Sequence, residues 1–121
     1  MTDQELTQKV CTPCQGGIPP LDAGAVETLL AQAPGWETIA GHTKIRRHFD
    51  LPSFRHAMDL AFAIGELAER EGHHPTVVSY GWRFCDVEMH TKKIKGLHEN
   101  DFIMAAKMNE IAHDIEKSGD D

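Results

Sequence analysis

Positive charge is scarce in this chain of 121 residues: 12 lysines and arginines stand against 19 aspartates and glutamates, for a formal net charge of −7. A sequence-blind grip on a phosphate backbone needs clustered Lys and Arg, so nucleic acid is not expected as a direct partner. Long apolar runs are missing too. The stretch Leu60 to Leu67 is far short of the ~20 residues that span a bilayer, and Asp59 and Glu66 bracket it. No transmembrane helix or membrane partner is expected. The N-terminal MTDQELTQKVCTPC carries Asp3 and Glu5 and has no apolar segment behind a basic one, which does not support a secretory signal. A cytoplasmic location is therefore expected. Cysteine is sparse and odd in number, three in all, which fits a reducing compartment better than a disulfide framework. Cys11 and Cys14 are spaced to converge on one ion or to form a redox pair. A structural zinc site needs four ligands, however, and no second CxxC or HxxxH accompanies them. The alternative is a flexible tail over residues 1–20 that ends in the turn-rich Gln15 to Pro20.

What is present suits one ordinary core: 40% of the residues are hydrophobic, which predicts a single domain over 21–117 with 118–121 frayed. Leu21, Ala25, Leu29 and Ala33 recur at helical spacing behind Asp22, a potential N-cap, and Pro34-Gly35 ends that helix. Trp36 to Ala40 and Thr43 to Leu51 read as two strands of a hairpin. From Ser53, a second cap, Phe54, Met58, Ala61, Gly65 and Ala68 predict a helix to about Glu71, stopped by Gly72. Thr76 to Tyr80 is β-branched and apolar, and Trp82 to Thr91 continues as a strand with Val87, Met89 and Thr91 on one face. Met104, Met108, Ile111 and Ile115 stripe a last helix over Asp101 to Glu116. The order α-β-β-α-β-β-α predicts an α+β fold, a four-stranded antiparallel sheet with three helices packed on one face. The last helix offers more apolar surface than a small core needs, so a homo-oligomer is expected.

Histidine is the side chain whose ordinary titration lies near neutral pH, so it can both give and take a proton there. The chain holds eight. His42, His48, His56 and His113 stand alone among polar residues and read as solvated surface. His73 and His74 are adjacent, between Gly72 and Pro75 at a helix-to-strand junction, where a scaffold can aim two imidazoles in different directions.

The stretch Glu69 to Phe102 resembles the signature of the pterin-4a-carbinolamine dehydratase family. That pattern has an acidic or polar residue four before the first histidine and then His-His-Pro. An aromatic six or seven residues on, a histidine or tryptophan ten after that, and a later aspartate complete it. Those places hold Glu69, His73-His74-Pro75, Trp82, Lys92 and Asp101. The Thr91 to Leu97 run, Glu99-Asn-Asp-Phe102 and the CxxCxGGxPPL segment from Cys11 to Leu21 are similar to family members as well. The resemblance implies an enzyme that dehydrates 4a-hydroxytetrahydropterin to quinonoid dihydropterin in tetrahydropterin recycling, with no metal and no cofactor. It implies His73 as first choice for proton transfer, with His74 holding the pterin and sharing the acid/base work. Glu69 and Asp101 would orient them, and Trp82, Thr91 and Lys92 would help bind the substrate. Lys92 departs from the histidine usual at its place. His90, two residues earlier, is the reserve catalytic candidate, and a bulge near Phe84-Cys85 could shift the strand to bring it in. By resemblance the assembly would be a dimer or tetramer.

Two rival readings remain. Relatives of this fold serve as a dimerisation cofactor or an assembly factor, so a non-enzymatic module with a protein partner is the alternative. A metal site built from His73, His74, His90 or the cysteines is disfavoured, because adjacent histidines rarely converge on one ion.

Overall fold

The computed structural model describes residues 5–12 and 16–117. The Asp22 carboxylate accepts a hydrogen bond from the Ala25 N–H at 2.8 Å, satisfying one of the donors that a helix start leaves orphaned, and α1 follows over Ala23–Leu30. The turn after it leads into β1 (Glu37–Ile39) and β2 (Lys44–Asp50), the expected hairpin. Ser53 caps α2 (Phe54–Glu71) by accepting from the His56 N–H at 3.1 Å. Gly72 ends α2 at φ 69°, a left-handed conformation that costs glycine little. β3 (Val77–Gly81) and β4 (Phe84–Met89) form the second hairpin, and α3 (Glu99–Lys117) closes the chain.

The four strands make one antiparallel sheet in the order β1-β2-β4-β3. Because side chains alternate along a strand, the register that sets Ile45 opposite Met89 and Phe49 opposite Cys85 gathers apolar residues on one face. Ile45, Phe49, Cys85, Val87 and Met89 are buried there. On the other face, the charges interdigitate. Arg46 lies between Glu37 and Glu88 in the register, and the His48 ring meets Asp86 and Asp50, the hydrogen bond to Asp86 holding it above its ordinary value. The fold is therefore α+β with the helices against the apolar face, as the patterning predicts.

Three local expectations are corrected. The buried stripe of α2 is Ala57, Leu60, Ile64, Leu67 and Ala68, while Phe54 is 48% exposed and Gly65 faces solvent. Two stripes one residue apart both satisfy helical spacing, and the sheet takes the one with the larger aliphatics, each burial contributing about 1.5–3 kcal/mol. Next, β4 pairs without interruption with β2 from Phe84 to Met89 and with β3 from Phe84 to Glu88, so there is no bulge at Phe84-Cys85. His56 is buried rather than solvated, its ring against the Ser53 hydroxyl.

On α3, Asn100 to Ala106 are all buried within this one chain, packed on α2 and on the N-terminal segment. The helix thus has no surplus apolar face over those residues, and the exposed large apolar side chains are Phe54, Phe62, Val77, Tyr80 and Trp82 among others. Among the described residues, no helix is long and apolar enough to cross a membrane.

Residues 5–12, expected as part of a tail, lie against the body of the fold. Leu6 is buried in the core cluster, and the Lys9 ammonium meets Glu99 at 2.6 Å. The Cys11 N–H donates to Glu71 Oε1 at 2.8 Å, and Glu71 Oε2 takes the Lys107 ammonium at 2.7 Å. Burial pushes the Glu71 carboxyl up, but the Cys11 N–H and Lys107 outweigh it and hold the group below its ordinary value. The stability this adds is present above the unfolded value of 4.5 and is lost as pH falls through the folded one. The thermal midpoint of the parent should accordingly fall more than that of Glu71→Gln between about pH 6 and about pH 3. Parallel curves from scanning calorimetry would contradict this.

Candidate active site

The turn at Gly72 throws His73 and His74 off the end of α2, and Pro75 then leads into β3. Across the hairpin, β4 ends at Met89 and delivers His90 and Thr91 to the same end of the sheet. Thr91 pairs with Gly96 and closes a short loop that carries Lys92 and Lys93 on a single 3₁₀ turn. The chain then enters α3, whose first turn supplies Asp101. The two strand ends of the β3–β4 hairpin and two helix ends therefore converge, and between them lies a cleft of ≈ 590 Å³. That is within the size range of small-molecule sites.

Asp101 is the hub of the site. It is fully buried, yet its carboxylate accepts from the Thr91 hydroxyl at 2.7 Å, from the His98 N–H at 3.0 Å and from His73 Nε2 at 2.7 Å. An ionised carboxylate only accepts, so the His73 ring donates at Nε2 and its Nδ1 is the nitrogen left to exchange a proton. The three donors compensate the charge that burial would otherwise make costly. His73 has a side chain only 11% exposed, held by contacts on its carboxylate side.

His74 is the solvent-side partner. Its Nε2 lies 2.7 Å from Glu69 Oε2, with both side chains exposed. The two carboxylates expected to orient the histidine pair thus divide the work, Asp101 on His73 and Glu69 on His74. His90 also lines the cleft, its Nδ1 against the Thr76 hydroxyl. Lys92 lines it from the 3₁₀ turn and is exposed.

Trp82 is the one substrate-binding candidate that the fold does not bring near. It sits at the opposite tip of the β3–β4 hairpin, 74% exposed, with the Arg83 guanidinium 5.7 Å from its ring. At ~3.3 Å per strand residue the two ends of that hairpin are about 16 Å apart. Thr12 and Thr76 line the cleft without having been anticipated from the sequence. Thr76 follows the His-His-Pro triplet directly, a signal that could have been read. For Thr12 there was none, since its place depends on contacts with residues nearly ninety positions away.

A second hollow of ≈ 390 Å³ lies on the charged sheet face around His48 and Asp86. There both ring nitrogens of His48 are taken by carboxylates, which leaves neither to exchange a proton with a ligand. Cys11 does not add a nucleophile to the site, because burial and then Glu71 push its thiol up to about 12. Its sequence partner Cys14 lies outside the described residues.

Over residues 19–111 the sequence matches the family model described as Pterin 4 alpha carbinolamine dehydratase. It is 56% identical over 107 residues to a Methylococcus capsulatus protein named "Putative pterin-4-alpha-carbinolamine dehydratase", covering 88% of this chain and 93% of that one. A protein of the same name from Azoarcus sp. is 51% identical over 110 residues, 91% of this chain and 93% of the other. The structure of a transcriptional coactivator/pterin dehydratase from Brucella melitensis matches with a TM-score of 0.72 at 30% identity, covering 77% of this chain and 98% of that chain. A pterin dehydratase-like protein identified as a RuBisCO assembly factor in the alpha-carboxysome shares the fold, with a TM-score of 0.57 at 18% identity over 64% of this chain and 89% of that one. With the family model spanning most of its length, and relatives more than half identical over nearly all of it, this chain belongs to the pterin-4-alpha-carbinolamine dehydratase family.

Proposed function

We propose that this chain dehydrates 4a-hydroxytetrahydropterin to quinonoid dihydropterin, in tetrahydropterin recycling, by histidine acid/base catalysis. The observation that carries the reading is the His73–Asp101 pair, a clamped imidazole lining a cleft shared with His74 and His90.

The reaction breaks the C4a–O bond, removes the proton from N5 and forms the N5=C4a double bond, so the only by-product is water and no oxidant is needed. His73 takes the N5 proton at Nδ1, and the buried Asp101 carboxylate stabilises the imidazolium that results. A second imidazole, in its protonated form, delivers a proton to the departing hydroxyl. His74, held by Glu69, also stacks or hydrogen-bonds the pterin ring at the solvent side. Thr91 acts through Asp101, and Thr76 through His90. Trp82 takes no part in this reading of the cleft. Purified protein should accelerate the loss of water from a 4a-hydroxytetrahydropterin generated in situ. A rate equal to buffer alone would sink the dehydratase reading and leave the non-enzymatic binding module in its place.

Lys92 is a binding group in this scheme, because an ammonium offers a positive charge and three hydrogen-bond donors but no lone pair to accept a proton. Lys92→His should therefore be faster than the parent, with activity extended toward neutral pH, by less than the ~10²–10⁴-fold of a full general acid/base. If instead Lys92→His changes nothing while His90→Ala abolishes turnover, His90 holds the third catalytic place.

The same reading includes self-association through a second copy of the chain. Its support is the open edge of β3 together with the exposed Val77, Tyr80 and Trp82 on and beside that strand. Sedimentation should show a dimer or tetramer, and a 13.5 kDa species at micromolar concentration would contradict it.

A further inference from the structure

Residues 9–12 form a strap tied to the two segments that carry the His73–Asp101 pair. The Cys11 N–H bonds Glu71, two residues before His73. At the next residue, the Asn100 side chain, immediately before Asp101, grips the backbone of Thr12 from both sides. Its Oδ1 accepts from the Thr12 N–H at 3.0 Å, and its Nδ2 donates to the Thr12 carbonyl at 2.6 Å. Asn100 is 1% exposed, so this pairing is built into the interior rather than laid on the surface. The strap delivers Thr12 to the cleft wall that also holds Gly72, His73 and Lys93. Where the described chain resumes, a methyl group on Gly16 would lie 3.8 Å from the Cβ of Lys93, a residue of the same wall. The strap and Gly16 precede residue 19, where the family match begins.

We propose that Thr12 is a substrate-binding residue of the cleft, and that Asn100 and Glu71 position it by docking the strap. The inference rests on the dehydratase reading for the identity of the ligand, a hydroxylated tetrahydropterin. Its physical content is that the strap supplies one wall of the site. A threonine hydroxyl both donates and accepts, which suits a heterocycle whose edge carries alternating donors and acceptors. The wall binds the ring in ground and transition state alike, so its loss acts on affinity rather than on the chemical step.

The decisive variant is Thr12→Pro, which deletes the N–H that bonds Asn100 and touches no core residue. Cys11→Pro, which deletes the donor to Glu71, is the companion should the first variant fail to fold. Each should raise KM for the 4a-hydroxypterin by about tenfold, the scale of one or two lost hydrogen bonds, with kcat and its pH profile within about twofold of the parent. Thr12→Ser should keep the parent KM. In the absence of pterin, carbethoxylation of His73 by diethyl pyrocarbonate should be faster in the proline variants than in the parent. An unchanged KM, or a fall in kcat at constant KM, overturns the proposal. Should the parent fail to turn over the pterin, the dehydratase reading falls, and the carbethoxylation rate alone decides: faster in the variants supports the strap as a wall, unchanged overturns it.

Discussion

Replacing His73 by alanine is expected to slow pterin dehydration by about 10²–10⁴-fold, the usual contribution of a general acid/base group, while the chain stays folded. The size of the effect follows from geometry. His73 is the histidine of the cleft whose ring is clamped by a buried carboxylate, so its orientation is set before any ligand arrives. Folding should survive because the ring lies at a turn after α2 and belongs to no apolar stripe; the helix end is fixed by Gly72 and its bond to Ala68. The measurement is single-turnover kinetics on a variant whose far-ultraviolet spectrum matches the parent. A folded His73→Ala protein at full rate removes this residue from the mechanism.

Asp101 is expected to show the largest combined effect. Asp101→Ala strands three donors, the Thr91 hydroxyl, the His98 N–H and the His73 ring, in a fully buried place. Each buried donor left without a partner costs about 1–3 kcal/mol, so the three together take a large share of the stability of a small domain. Asp101→Asn separates the two roles. Its volume is the same, but its amide nitrogen would donate toward His73 and favour the tautomer that places the ring proton on Nδ1. It should fold with a smaller loss of stability and still lose about as much rate as His73→Ala, within the ~10²–10⁴ range. Denaturant titration paired with the dehydration assay tests both. An Asp101→Asn protein that is stable and fully active would show that the tautomer of His73 does not matter.

Much of this was legible in the residues. Asp22 and Ser53 announced helix starts because a short polar side chain satisfies orphaned N–H groups locally, and Gly72 announced a stop because it accepts a left-handed backbone. A strand's period of two is rigid and puts Val87, Met89 and Thr91 on one face, and all three are buried. The His-His-Pro triplet and the spacing to Asp101 pointed to the family, and the family model and relatives bear that out.

Contacts between distant segments were another matter. Which of two adjacent stripes on α2 is buried was decided by the sheet it meets, since both obey the same helical period. The alternation at Phe84-Cys85 suggested a bulge, yet the half-buried Phe84 stacks on His48 across the sheet and the ladder stays regular. The sequence distance from Pro75 to Trp82 did not reveal that a hairpin carries Trp82 away from the cleft, because chain separation within a strand is spatial separation too. That Asp101 holds His73 and Glu69 holds His74 required α3 to pack beside the end of α2. The strap required the same packing, with Asn100 and Glu71 reaching a segment that by composition alone reads as a tail. Caps, periods and residue types act over a few neighbouring positions, so the elements and the chemical inventory follow from the residues alone. Which carboxylate serves which histidine, and what walls the cleft, depends instead on how two helix ends and the open end of the β3–β4 hairpin converge.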